Sequence, residues 1–247
     1  MVTRAGFRER VASRPLLFDG ATGTVLQSRR TGPGHGFDGL NLTAPNVVAG
    51  AHRAYVAAGV DVVETNTFGA NRFRLDEHGL GDRVAEVNSA AVVIARDVVA
   101  GTDVWVAGSV GPLGVVLAPI GRVIEADARA AFVEQIGALV AAGVDLVVIE
   151  TMPSIREVEI AARVAREVAH DVPIITMMTF VDDDRTILGA GAAEVARQLA
   201  DLDVDAVGVN CSSGPNQVLR LTSAMRHVAP DVAIAAMPNA GFPERNS

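Results

Sequence analysis

The chain has one cysteine, Cys211, in the segment Gly208-Val209-Asn210-Cys211-Ser212-Ser213-Gly214-Pro215, at the end of the apolar run Ala206 to Val209. A thiolate is both a nucleophile and a metal ligand. A lone thiol at the C-terminal end of a strand is therefore a candidate for either role, in need of partners. Asn210 precedes Cys211 at that strand end, and polar side chains end other apolar runs in the same way: Asp19, Glu64, Ser109, Glu150, Thr179 and Asn239. If those runs are parallel strands closed into a barrel, their polar ends converge on the face where barrel active sites lie. Each residue also has a purely structural reading. Asp19 and Asn210 could satisfy turn amides, Glu150 could form a strand-end ion pair, and Cys211 could be an inert buried thiol.

The elements that must position these residues follow from a repeated cassette. It runs from an amphipathic helical stretch through a Gly or Asp break to a short Val/Ile-rich run and a polar residue. The clearest copies are Val56-Ala57-Ala58-Gly59-Val60-Asp61-Val62-Val63-Glu64-Thr65 and Val140-Ala141-Ala142-Gly143-Val144-Asp145-Leu146-Val147-Val148-Ile149-Glu150-Thr151. In each, glycine can end the helix in a left-handed conformation, and the apolar run after it reads as a buried strand. Strands are expected near 15–19, 60–64, 103–109, 145–150, 173–180, 205–211 and 232–239. Helix starts fall at Thr43 with Pro45 in the first turn, and at Ser154 with Glu157 as a capping box. The alternation reads as repeated βα units. The irregular stretch from Thr31 to Asn41 reads as a long first βα loop. No linker divides the chain, so residues 1–247 are expected to form a single barrel domain.

Composition removes several classes of function. Hydrophobic residues make up 49% and aromatics 4%, so the core is built from Val, Ala, Ile and Leu, as suits parallel strands under helices. A net charge of −8 and the absence of lysine leave no basic patch to displace counterions, so nucleic acid is not an expected partner. Schiff-base chemistry on lysine is excluded. One cysteine forms no internal disulfide, and the N-terminus lacks an apolar signal core, which points to the cytoplasm. Asp61, Asp145 and Asp205 interrupt the most apolar stretches, so no membrane span is expected. Gly189-Ala190-Gly191-Ala192-Ala193-Glu194 puts Glu where a dinucleotide fingerprint needs its third glycine, and reads as a loop and helix start. The histidines His35, His52, His78, His170 and His227 show no metal spacing. A surface or half-buried structural role is expected for His52 and His227.

Five ordered segments then carry a resemblance. They are Phe18-Asp19-Gly20-Ala21-Thr22-Gly23-Thr24, Glu64-Thr65-Asn66-Thr67-Phe68-Gly69-Ala70-Asn71, Gly108-Ser109-Val110-Gly111-Pro112, Gly208 to Pro215, and Pro238-Asn239-Ala240-Gly241. Together, from about Pro15 to Pro243, they resemble the homocysteine S-methyltransferase family. The likeness is greatest to the methyltransferase domain of cobalamin-dependent methionine synthase and of the bifunctional homocysteine S-methyltransferase/methylenetetrahydrofolate reductases. The resemblance implies a TIM (β/α)8-type barrel whose zinc is held by three cysteines and ionises the homocysteine thiol for attack on a methyl donor.

Carried onto this sequence, Cys211 matches the first zinc ligand, and the family's Gly-Gly-Cys-Cys-Gly-Thr pair has no counterpart. The resemblance further implies that Asp19 and Gly20 hold the amino acid end of homocysteine and that Glu150 takes its ammonium group. It places Asn239 beside the metal's open position and Asn210 as an orienter. With seven strands and one of three thiolates, the expectation is a C-terminally incomplete barrel. Zinc binding and methyl transfer by such a chain are impaired or depend on a partner chain or second copy covering the open edge. Two other readings stand beside this one. One is an inactive barrel remnant that binds an amino acid or a protein, and the other is an unrelated barrel lyase using Glu64 and Glu150 as acid and base.

Overall fold

The computed structural model describes residues 2–29, 36–211 and 214–240. Four helices lead the chain: α1 (Arg4–Ser13), α2 (Thr22–Arg29), α3 (Leu40–Thr43) and α4 (Pro45–Ala57). Then come β1 (Val62–Glu64), α5 (Arg72–Asp76), α6 (Val84–Val99), β2 (Trp105–Val110), α7 (Glu125–Ala142) and β3 (Leu146–Met152). The remainder is α8 (Ile155–Val168), β4 (Ile174–Met178), α9 (Ala192–Ala200), β5 (Ala206–Asn210), α10 (Pro215–Val228) and β6 (Ala233–Met237). All six strands are parallel and lie in chain order from β1 to β6. This is the α/β arrangement of a TIM-type barrel wall.

Strand alternation sorts the core into two layers. Val62, Ala107, Leu146, Val148, Ile175, Met177 and Ala206 share the inner face, joined by Phe7 of α1. Val63, Val106, Val147, Ile149, Ile174, Val207 and Val209 face the helices outside. By the same alternation Glu64, Ser109, Glu150 and Asn210 continue the inner rows at their C-terminal ends.

The cassette explains how each strand is entered. Gly59 and Gly143 follow α4 and α7 with φ of +90° and +95°, a backbone region where glycine has no steric penalty. The aspartates after them repeat one device. Asp61 Oδ2 accepts the Leu17 amide at 2.9 Å, Asp145 Oδ2 the Val106 amide at 2.9 Å and Asp205 Oδ2 the Ile174 amide at 3.0 Å. Each also meets arginine: Arg14 and Arg10 on Asp61, Arg96 on Asp145, and Arg4, Arg8 and Arg166 on Asp205. The Asp145 and Asp205 carboxylates are buried, which is tolerable because donors surround them. Those two tie the entries of β3 and β5 to the strand before each, and the half-buried Asp61 ties the entry of β1 to the segment at Leu17.

Several local expectations are corrected. The run at 15–19 forms a single parallel bridge, Phe18 to Val62, because the Glu64 amide, which would extend the ladder, is taken by the Asp19 side chain at 3.1 Å. The last strand ends at Met237 rather than 239, where Pro238 offers no amide. Thr43 closes α3, its hydroxyl donating to the Gly39 carbonyl, and Ala44 precedes Pro45 at the start of α4. Ser154 stands before α8 without a side-chain capping bond; its expected partner Glu157 instead accepts the Leu113 amide at 2.7 Å. Of the expected first loop, Thr31 to His35 lie outside the described residues, and α3 begins at Leu40.

Candidate functional site

The inner rows end in a buried polar cluster. Glu150, on β3, accepts a hydrogen bond from the Ser109 hydroxyl at 2.5 Å and another from Asn210 Nδ2 at 3.1 Å. The same Nδ2 donates to Thr151 Oγ1 at 2.7 Å and approaches Cys211 Sγ at 3.5 Å. Asn210 Oδ1 accepts the Thr151 amide at 2.7 Å. Asn210 therefore links the carboxylate of β3 to the thiol after β5. Thr151 and Cys211 both have φ of +57°, a region costly for residues with a Cβ. The cluster's hydrogen bonds hold two such turns side by side, just past two strand ends.

Asp19, Gly20, Glu150, Asn210 and Cys211 all lie at this mouth. Asp19 is buried, and Gly20, exposed beside it, faces the hydroxyl of Tyr55. Asn239 is exposed two residues beyond β6 and makes no hydrogen bond with the cluster among the described residues. His52 corrects its expected surface or half-buried role: it is wholly buried in α4, and neither ring nitrogen has a hydrogen-bond partner. His227 is exposed.

The cluster is strongly acidic. Burial pushes Asp19 up to about 8, with the Glu150 charge adding to the shift. Burial also raises Glu150 to about 7, against the pull of the Ser109 hydrogen bond. Glu64 is held well above the usual range by burial and then by the charges of Glu150, Asp19 and Cys211. The Cys211 thiol is raised by burial, partly offset by its contact with Thr151. In the bare chain the thiol is thus protonated at neutral pH and needs a nearby cation to ionise. No group of three His, Cys, Asp or Glu side chains that could hold a metal occurs among the described residues. Cys211 alone does not make a zinc site.

Other residues build the mouth without having been singled out as site residues. Thr65 Oγ1 accepts the Ser109 amide, contacts Thr67 Oγ1 at 2.6 Å, and Thr67 in turn donates to the Ser109 carbonyl at 2.7 Å. Asn66 Nδ2 donates to the Phe37 carbonyl and to Asn41 Oδ1. Asn71 caps α5 through the amides of Phe73 and Arg74. The signal was present: a run of Thr and Asn directly after a buried strand supplies short hydrogen-bonding side chains where backbone leaves the ladder.

A parallel barrel wall with an acidic cluster and a thiol at the C-terminal ends of its strands places the chain in the class of TIM-type barrel proteins. A family model described as homocysteine S-methyltransferase matches residues 16–247, and the chain belongs to that family. It is 30% identical over 252 residues to methionine synthase of Mycobacterium leprae (strain TN), covering 95% of this chain and 21% of that protein. Against methionine synthase of Mycobacterium tuberculosis (strain ATCC 25618 / H37Rv) the values are 30% over 250 residues, 94% and 21%. The chain thus spans about a fifth of the length of these curated relatives. The metallated form of the homocysteine methyltransferase MmuM from Escherichia coli shares the fold with a TM-score of 0.78 at 24% identity, covering 95% of this chain and 87% of that one. Its oxidized form gives 0.77 at 25% identity, covering 92% and 82%.

Proposed function

We propose that this chain binds homocysteine at the barrel mouth and, with zinc, takes part in methyl transfer to its sulfur, giving methionine. The observation that carries the reading is the hydrogen-bonded group of Glu150, Asn210, Thr151 and Cys211, in which Asn210 links a buried carboxyl to a thiol. Asp19 and the Gly20 amide hold the amino acid end, and Glu150 receives its ammonium group. Asn210 orients Glu150 and Cys211. Asn239 is the residue assigned to the metal's open position. In the transfer, the thiol loses its proton, the sulfur lone pair forms a bond to the methyl carbon, and the donor departs with the electrons of the bond it held.

The described residues do not fit a complete zinc site, since a three-thiolate centre needs two ligands beyond Cys211. Cys211 is therefore assigned as one zinc ligand, and the others must come from beyond this chain's single cysteine. A partner chain is the proposed source; a second copy pairing with β6 would cover the open edge but bring only one further cysteine. The domain is proposed to be a single barrel spanning residues 1–247, and its compartment the cytoplasm.

The test is methyl transfer in zinc buffer with S-methylmethionine, methylcobalamin or betaine as donor. The lone chain is expected to be inactive, and a segment carrying a cysteine pair to restore turnover. Failure of every donor with the full thiolate set in place sinks the assignment. A single thiol with no metal-holding group around it among the described residues favours one other reading, an inactive barrel that binds an amino acid or a protein. That reading expects homocysteine affinity to be the same with and without zinc.

A further inference from the structure

Glu64 has no part in the reading above, yet it occupies the same inner row as Val62 and ends β1 facing the cluster. We propose that the Glu64 carboxylate, together with Asp19, is a further recognition site for the substrate's ammonium group, and selects α-amino thiols over deaminated ones. This rests on the homocysteine reading and adds a specificity-determining residue to it.

Buried carboxylates elsewhere in the chain have found their donors. Asp145, Asp205, Glu150 and Glu157 are all buried, and each accepts hydrogen bonds from amides, arginines, Ser109 or Asn210. Asp19 Oδ1 and Glu64 Oε1 are the carboxylate oxygens among the described buried groups that have no partner. The two residues are tied together, because the other Asp19 oxygen accepts the Glu64 amide.

The charged neighbours of Glu64 are Glu150, Asp19 and Cys211, all acidic. A buried acceptor left unpaired costs free energy that no donor among the described residues offsets. Two such acceptors, on residues joined by a hydrogen bond within a cluster of acids, fit a ligand that brings several N–H donors and a positive charge that would favour their ionised forms. An ammonium group supplies three donors.

The experiment is calorimetric titration of the purified chain with methionine and with 4-(methylthio)butanoate, the same thioether acid without the amine. Wild type, Glu64→Gln and Glu64→Asp are compared. Wild type is expected to prefer methionine by at least tenfold. Glu64→Gln should lose that preference while binding the deaminated acid within twofold of wild type, and Glu64→Asp should keep part of it. Methionine affinity unchanged in Glu64→Gln, or an equal loss for both ligands, overturns the proposal. So does failure of Glu64→Gln to fold, since it would make the residue structural. Wild type that binds neither methionine nor homocysteine defeats the homocysteine reading itself, an outcome read in a separate arm.

Discussion

At the scale of single residues the mouth and the outer wall respond to pH in opposite directions. Asp19 holds its proton in the fold up to about pH 8 because it is buried, whereas an unfolded aspartate releases it near pH 4. Between those values the native state binds more protons than the unfolded one, so this contribution to stability is complete below about pH 4 and is lost as pH rises towards 8. His52 behaves in the reverse sense. Burial lowers it from 6.5 to about 4, so its neutral form is in place above 6.5 and stability falls as pH drops from 6.5 towards 4. Between about pH 4 and 6.5 the two slopes oppose each other, so from these groups thermal midpoints should change little there and decline from 6.5 towards 8. Asp19→Asn is expected to remove the decline above 6.5 and leave midpoints falling as pH drops from 6.5 towards 4, whereas His52→Leu should leave a decline running from about pH 4 to 8. Because both ring nitrogens of His52 are buried and unpaired, His52→Leu should also stabilise by about 1 kcal/mol at neutral pH. A pH profile unchanged in His52→Leu contradicts this account.

At the scale of elements, the helix-to-strand junctions were legible because each is written in a few adjacent residues. Gly59, Asp61, Gly143 and Asp145 were visible as breaks, and the left-handed glycines occur where the cassette put them. What the aspartates do was not legible: their partners, Leu17, Val106 and Ile174 among the amides and Arg14, Arg96 and Arg166 among the cations, lie tens of residues away. The site divides in the same way. Strand ends carrying Glu64, Glu150 and Asn210 could be read from alternation, but the bridge that Asn210 makes from Glu150 to Cys211 depends on the β3 to β5 spacing. Two glycines separate conformational cost from steric cost. Gly143 sits at φ +95° with open space where a Cβ would stand, so Gly143→Ala should cost about 1 kcal/mol. A Cβ on Gly208 would overlap the Ala235 carbonyl of β6. Gly208→Ala should therefore cost about 3 kcal/mol and loosen β6 from β5. Denaturant titration of the two variants distinguishes them, and equal losses would show that β5 and β6 separate easily.

At the scale of the whole molecule the sheet is unequal from centre to edge. Strand β3 pairs with β2 and β4 on its two sides, and six of its seven residues are buried. Strand β6 pairs with β5 alone among the described residues, and none of its five residues is buried. The inner face narrows towards β6 as well, where Ala233, Ala235 and Met237 are partly buried against the core formed by the other strands. Local opening is cheapest where few apolar contacts must be broken and backbone hydrogen bonds lie near water. Amide exchange followed by mass spectrometry should therefore show β6 exchanging orders of magnitude faster than Val147, Val148 and Ile149 of β3. An edge with unpaired backbone groups is also the place where another strand can add. If a second copy covers it, protection should rise with protein concentration in β6 and the adjoining residues while β3 stays unchanged. Uniform protection across the sheet at low concentration would mean that β6 is already covered, and would remove the structural reason for expecting a partner there.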